Sequence, residues 1–380
     1  MIQGAKIRVL IVDDSAIVRK VLSDVLSNQP DIDVVGTAPD PYVARDKIVS
    51  LRPDVLTLDI EMPRMDGLTF LDRLMAFHPM PVVVISSLTQ SSTRSALEAV
   101  NRGAVDVMAK PGGPYSVGDL KDELPRRVRA ASVARVRPGG SALPSAGVAS
   151  SGGAMQVGTH SAQKPVPERK PVISAVPPAG GVWTRDRFVA IGASTGGTQA
   201  IEQILRQFPA DFPPVVATQH IPVGFSAAFA ARLNGCCSMH VDEAKDGDIL
   251  RSGHAYIAPG SRHMQVIKSV AGGYAVRLHD GPKLHHQRPA VDELFFSAAK
   301  LAQGAALGIL LTGMGKDGAA GLLALRNAGC HTIVQDEATS VVFGMPREAI
   351  ELGAAVEVRP LQAIAAAAMA AMSARTSHAA

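Results

Sequence analysis

"RFVAIGASTGGTQAIEQILRQF", residues 187–208, reads as a strand, a glycine-rich turn and a helix. "FVAIGA" is a short apolar run closed by glycine, and the segment after it, "TQAIEQILRQF", reads as a helix. A strand that turns straight into a helix is a βα unit, so this stretch points to an α/β sheet. Its turn, Gly192-Ala193-Ser194-Thr195-Gly196, has the Gly-x-Ser-x-Gly spelling of a nucleophile elbow, in which a sharp turn exposes the serine hydroxyl. A plain glycine turn or a phosphate cradle is spelled the same way, so Ser194 needs partners before it is a nucleophile.

Outward from this unit the same alternation continues. From Arg185, strands are expected at "RFVAIGA", "PVVATQ", "AYIAP", "YAVRL", "ALGILLT" and "HTIVQD", with helices at "TQAIEQILRQF", "SAAFAARLN", "VDELFFSAAKLAQ", "AAGLLALRNAG" and "MPREAIELG". A largely parallel sheet follows. Residues 6–130 repeat the pattern five times, with strands "IRVLIV", "DVVGTA", "VLTLDI", "VVVISS" and "VDVMA" each followed by an amphipathic segment. Five such units imply a doubly wound sheet whose ligand site lies at the carboxyl ends of its strands.

At 380 residues the chain suits two such domains, and its composition shows where they part. The stretch 131–184 is rich in Pro, Gly, Ser and Ala with no helical or strand period, and is expected to be a flexible linker. It also holds the whole net charge of +4, as five cations (Arg135, Arg137, Lys164, Arg169, Lys170) against Glu168. The expected units are therefore 1–130 and 185–373, with a short tail at 374–380 and an alanine-rich closing helix before it. Both units are near neutral, which argues against nucleic acid as a partner. No apolar run is long enough to span a membrane and the N-terminus lacks a signal-peptide pattern, so a soluble cytoplasmic protein is expected. Cys236, Cys237 and Cys330 have neither disulfide-framework nor zinc spacing, and burial is their expected role.

In the first unit, polar residues gather at strand ends: Asp13 and Asp14, Asp59, Ser86 and Ser87, and Lys110. Three converging carboxylates need a cation, and oxygen ligands without His or Cys suit Mg2+. "DDS", "LDIEMPRMDG", the downstream serine and "KP" together resemble the receiver domain of two-component response regulators, from Lys6 to about Arg129. The resemblance implies that Asp59 accepts a phosphoryl group from a histidine kinase. It implies that Asp13, Asp14, Asp59 and the Glu61 backbone carbonyl hold Mg2+, and that Ser86 and Lys110 contact the phosphoryl group. Such chemistry needs metal and lysine to offset the charge gathering on oxygen. One departure is Val107, three residues before the lysine, where receivers often carry an aromatic switch residue.

Ser194 needs a base and an orienting acid from neighbouring strand ends. His220 directly follows "VVATQ"; His240 and His254 fall in acidic, turn-rich sequence, and His263, His279, His285, His286 and His331 do not follow an apolar strand at its carboxyl end. For the acid, Asp317 in "TGMGKDG" is preferred to Asp336, and Asp292 has a simpler role as a helix N-cap. The order Ser, His, Asp, with 26 residues between the first two, differs from the lipase-like order Ser, Asp, His. The blocks "IGASTGGTQAI", "TQHIPVGFSAAFAARLN", "AKDGDILRSGHAYIAPGSRHM", "HHQRPAVDELFFSAA", "ILLTGMGKDGAAGL" and "QDEATSVVFGMPREAI" resemble the catalytic domain of chemotaxis protein-glutamate methylesterases, from Arg185 to about Leu361. That resemblance implies a serine hydrolase without cofactor in this domain, acting on glutamate γ-methyl esters of methyl-accepting chemoreceptors, with receptor glutamine deamidation as a second activity. It implies oxyanion or substrate roles for Thr195 and Met314. A monomer is expected, and a receiver joined to a hydrolase points to a gate in which the unphosphorylated receiver covers the Ser194 edge.

Overall fold

The computed structural model describes residues 5–110, 117–136 and 186–373. The first unit alternates β1 (Ile7–Val12), α1 (Ala16–Ser27), β2 (Ile32–Ala38), α2 (Pro41–Leu51), β3 (Val55–Asp59), α3 (Gly67–Phe77), β4 (Val82–Ser86), α4 (Gln90–Asn101), β5 (Asp106–Ala109) and α5 (Val117–Ser132). Its five strands are all parallel in the order β2-β1-β3-β4-β5, so helices cover both faces and β3 and β4 are buried along their whole length. Four helices begin on a side-chain cap, from Ser15, Asp40, Asp66 and Thr89, each satisfying first-turn amides that the helix leaves unpaired.

The second unit runs β6 (Phe188–Ala193), α6 (Gly197–Leu205), β7 (Val215–Gln219), α7 (Phe225–Asn234), β8 (His240–Glu243), β9 (His254–Ile257), β10 (His263–Lys268), β11 (Tyr274–His279), α8 (Val291–Ala302), β12 (Ala306–Leu310), α9 (Ala319–Asn327), β13 (His331–Gln335), α10 (Met345–Glu351), β14 (Glu357–Arg359) and α11 (Leu361–Ser373). Seven strands form one parallel sheet, in the order β14-β13-β12-β6-β7-β9-β8. The central strand β6 is fully buried along its length, which places its carboxyl end, and Ser194 just beyond it, at the middle of the sheet edge.

Three strands escape the sequence reading, and one changes place. "YAVRL" does not join the parallel sheet; as β11 it pairs antiparallel with the unexpected β10, in a separate two-stranded ribbon. The expected turn-rich stretch at His240 instead holds β8, while the expected strand "AYIAP" is β9, which starts one residue earlier, at His254. β14 is only three residues long. The expected boundary after residue 130 also moves, because α5 runs to Ser132 and the Arg135 amide donates to the Val341 carbonyl at 3.0 Å. The rest of the expected linker, from 137 to 184, and the tail 374–380 lie outside the described residues.

The two units share an apolar cluster, in which Leu97 and Val100 of α4 belong with Phe225 and Phe229 of α7. Polar contacts frame it: Arg232 Nη1 donates to the Leu97 carbonyl at 3.4 Å, Gln199 Nε2 to the Val100 carbonyl, and Arg135 pairs with Glu337 at 2.7 Å.

Candidate active site

Ser194 lies in the turn between β6 and α6. Its amide donates to the Thr312 carbonyl at 3.0 Å, and its carbonyl accepts from the Gly197 amide at 2.7 Å and from Gln219 Nε2 at 2.8 Å. The turn demands glycine at two points. Gly196 has φ 78°, and a Cβ there would meet Val341 at 2.6 Å. A Cβ on Gly313, in the neighbouring loop, would stand 2.7 Å from the Ser194 Cβ. The backbone can therefore close tightly around the hydroxyl only because both side chains are missing.

His220 follows β7, and its amide donates to the Ala193 carbonyl at 3.1 Å, which ties it beside the elbow. Its Nδ1 lies 3.0 Å from Ser194 Oγ and its Nε2 lies 2.7 Å from Asp317 Oδ2. A proton on Nε2 serves Asp317 and leaves Nδ1 to accept from the serine hydroxyl. All three side chains are buried, so the chain of hydrogen bonds is shielded from water.

Asp317 does more than face the histidine. Its Oδ2 also accepts from the Val291 amide at 2.8 Å and its Oδ1 from the Asp292 amide at 2.9 Å. These are first-turn amides of α8, whose own N-cap, Ala290, has no side-chain acceptor. Burial opposes the charge on Asp317, but the His220 contact and the two amides outweigh it and hold the carboxyl below its ordinary value of 3.8. The cap of α8 is thus Asp317 and not Asp292. Asp292 accepts from the Gly321 amide at 2.7 Å and faces His285 Nε2 at 3.0 Å, while burial beside Asp317 raises its carboxyl. Asp336, the other acid weighed, bonds to Thr339 in its own turn. His279 does close a strand, but in the separate ribbon.

Thr195 and Met314 flank this arrangement. Met314 is 39% exposed, whereas Thr195 is buried and its hydroxyl donates to Asp106 Oδ2 of β5 at 3.0 Å. Asp106 is held in turn by Arg127 at 2.7 Å and by the Val107 amide at 2.8 Å. The first unit therefore sits directly over the serine. The space left between Val107, Asp106, Ser194 and His220 is about 10 Å3, near the minimum for one water. Asp106, Gln219 and Thr312, whose hydroxyl donates to the Thr195 carbonyl at 2.9 Å, are supports the sequence reading missed. Their adjacency to Ser194 is created by folding, and only Gln219, beside His220 at a strand end, carried a local signal.

At the carboxyl edge of the first sheet, ligand atoms of Asp13, Asp14 and Asp59 lie within 4.8 Å of one another. Lys110 Nζ donates to Asp59 Oδ2 at 2.7 Å and stands 3.2 Å from Asp13 Oδ2. Burial pushes the Asp59 carboxyl up to about 6 against the pull of Lys110, and burial likewise raises Asp13. Asp13 Oδ2 is buried and has the Lys110 ammonium as its charged neighbour, with no further hydrogen bond. Ser86 is placed at the end of β4, yet its hydroxyl donates to the Ser92 carbonyl at 3.2 Å. The Glu61 amide donates to Asp59 Oδ1 at 3.1 Å, while the Glu61 carboxylate reaches Ser87 and Ser92. Those two serine contacts, Ser92 first, hold the Glu61 carboxyl below its ordinary value.

Among the described residues, no helix is long and apolar enough to cross a membrane. Residues 9–119 match the model of the response regulator receiver domain, and residues 189–368 match that of the CheB methylesterase. A protein-glutamate methylesterase/protein-glutamine glutaminase of Syntrophus aciditrophicus is 49% identical over 362 residues, covering 95% of this chain and 98% of that protein. One from Salmonella typhi is 45% identical over 362 residues, covering 95% of each chain. The solved catalytic domain of the Thermotoga maritima CheB methylesterase is 36% identical, covering 49% of this chain and 98% of its own, with a TM-score of 0.48. A Ser-His-Asp chain and a carboxylate cluster, each at its own sheet edge, thus stand in a protein alike along nearly its whole length to curated methylesterases, and the chain belongs to the CheB methylesterase family with a receiver domain ahead of its hydrolase domain.

Proposed function

We propose that the protein is a phosphorylation-activated serine hydrolase that demethylates glutamate γ-methyl esters on chemoreceptors. The observation that carries this reading is the buried chain Ser194–His220–Asp317 beneath the receiver surface. Ser194 Oγ attacks the ester carbonyl while His220 Nδ1 takes its proton. His220 then returns that proton to the departing methoxide, which leaves as methanol while a glutamyl-serine ester stays on the enzyme. A water, deprotonated by the same Nδ1, cleaves that ester to glutamate and restores the serine. Asp317 fixes the tautomer and offsets the imidazolium charge. Backbone donors at Thr195 and Met314 take the oxyanion, and losing one such donor typically costs about 3 to 4 kcal/mol of barrier. The same acyl chemistry with ammonia as the leaving group deamidates a receptor glutamine, an activity carried in the names of the relatives.

The receiver is the control element. Asp13, Asp14, Asp59 and the Glu61 carbonyl are the groups that would hold Mg2+, and the convergence of three carboxylates on one sheet edge supports that fit. The ion supplies charge neutralisation when a histidine kinase transfers its phosphoryl group to Asp59. Lys110 lies on the Asp59 carboxylate to assist, and Ser86 joins by turning its hydroxyl from the Ser92 carbonyl. Residues 1–130 and 185–373 then act as two units of a cytoplasmic monomer, the first lifting from the second. The test is methanol release from methylated chemoreceptor membranes, with and without a small phosphoryl donor. Ser194→Ala should abolish release; turnover of soluble esters without any release from receptor would overturn the substrate reading.

A further inference from the structure

We propose that His240, Asp242 and His254 form a binding site for a divalent transition-metal ion of the Zn2+ class. The site lies at the outer edge of the second sheet. β8 is the edge strand, pairing in parallel only with β9, and the register sets His240 directly opposite His254. Strand period two returns Asp242 to the face of His240. The two imidazole rings stand 5.0 Å apart at 70°, and His240 Nε2 lies 2.7 Å from Asp242 Oδ2. One ligand atom from each of the three residues lies within 4.8 Å of the others. Because the sheet is parallel, these strand starts lie at the opposite edge from Ser194 and His220, which follow strand ends.

The surroundings leave room for an ion and its water. Asp242, His254 and Tyr256 line a cleft of about 230 Å3, and the side chains of His240 and Asp242 are 50% and 57% exposed. Tyr256 stacks on His254 at 6.2 Å and anchors its own hydroxyl on the Ile249 carbonyl at 2.7 Å, giving the inner imidazole a fixed wall. A tetrahedral zinc set places ligand atoms about 3.3 Å apart, a contraction that exposed side chains make by rotation. Two imidazoles and one carboxylate select Zn2+, Ni2+ or Cu2+ over Mg2+, unlike the all-oxygen cluster of the receiver. Three protein ligands leave a coordination position open, and the bound ion would clasp the edge strand to its neighbour.

The test is calorimetric titration of the full chain with Zn2+ in excess Mg2+, which occupies the oxygen site. The expected result is Zn2+ binding that His240→Ala and His254→Ala each weaken at least about tenfold, the lower bound for disturbing even the residues behind a ligand. Asp242→Asn should weaken it as well, and the rise in melting temperature given by Zn2+ should vanish in both histidine variants. Melting curves without metal check that each variant is folded. The double change Cys236→Ser, Cys237→Ser and, separately, His285→Gln should leave binding intact. No Zn2+ binding by the wild type, full binding by both histidine variants, or loss of binding in the cysteine or His285 variants would overturn the assignment.

Discussion

Asp317 spends its two oxygens on three donors, His220 Nε2 and the amides of Val291 and Asp292. An asparagine there keeps the shape but offers one acceptor instead of two and no charge for the imidazolium. Asp317→Asn should therefore lower the rate of methanol release by about 10^3- to 10^4-fold. Leaving an amide of α8 unpaired should also cost about 1 to 3 kcal/mol of stability in a denaturant melt. Asp292, one residue into the same helix, behaves in the opposite sense. Its carboxyl is raised, by burial first and by Asp317 second, so the folded chain holds that proton more tightly than the unfolded chain. Below the ordinary value of 3.8 both states are protonated and the site is neutral. As pH climbs from there through the raised value, ionisation in the folded state subtracts stability. Asp292→Asn, which still accepts from Gly321, should gain on the wild type between about pH 4 and neutrality when melts are compared. A gap that stays flat would show that His285 fully compensates the charge. Ser194, His220 and Asp317 were legible because each follows a strand end. Asp106 and Thr312 were not, because they meet the elbow across 89 and 117 residues of chain.

Strand β5 joins the two sites. It begins at Asp106, which accepts from Thr195 beside the serine, and Lys110 just beyond its end rests on Asp59. At about 3.3 Å per residue the span is about 13 Å, and the buried strand between is a stiff link. Asp106→Ala should free Thr195 and leave Arg127 without one of its partners, loosening the cover at its centre. Basal methanol release should rise without any phosphoryl donor, and the extra stimulation given by a donor should shrink. An unchanged basal rate in a folded variant would show that the Thr195 contact does not hold the cover. The legibility of elements follows the same physics. Central strands such as β3, β4 and β6 are apolar runs because both faces are buried. β8 and β10 are half-exposed and carry histidine and charge, and β14 is three residues long, so no run or period marks them.

At the scale of the molecule, the proposed function makes the receiver decide whether an ester reaches Ser194. A gap of about 10 Å3 beside the hydroxyl is the size of about one water, so on this proposal the units part before a methylated glutamate enters. Among the described residues, the contacts to be lost include the apolar patch of α4 and α7 and the bonds that Thr195, Gln199 and Arg232 make to the first unit. They also include those that Arg126 and Arg135 make to His286, Val341 and Glu337. A shift from one open molecule in a hundred to ninety-nine needs about 5.5 kcal/mol of differential stabilisation, a burden that phosphorylated Asp59 must carry through β5 and α4. Hydrogen exchange on the full chain separates this gate from a subtler effect at the triad. With Mg2+ and a phosphoryl donor, amides in 97–107, 194–199 and 225–234 should exchange faster while methanol release rises. In Asp59→Ala neither should change. If release rose in the wild type while those amides stayed as protected as before, the units would not be parting, and activation would have to be sought in the alignment of His220 with Ser194.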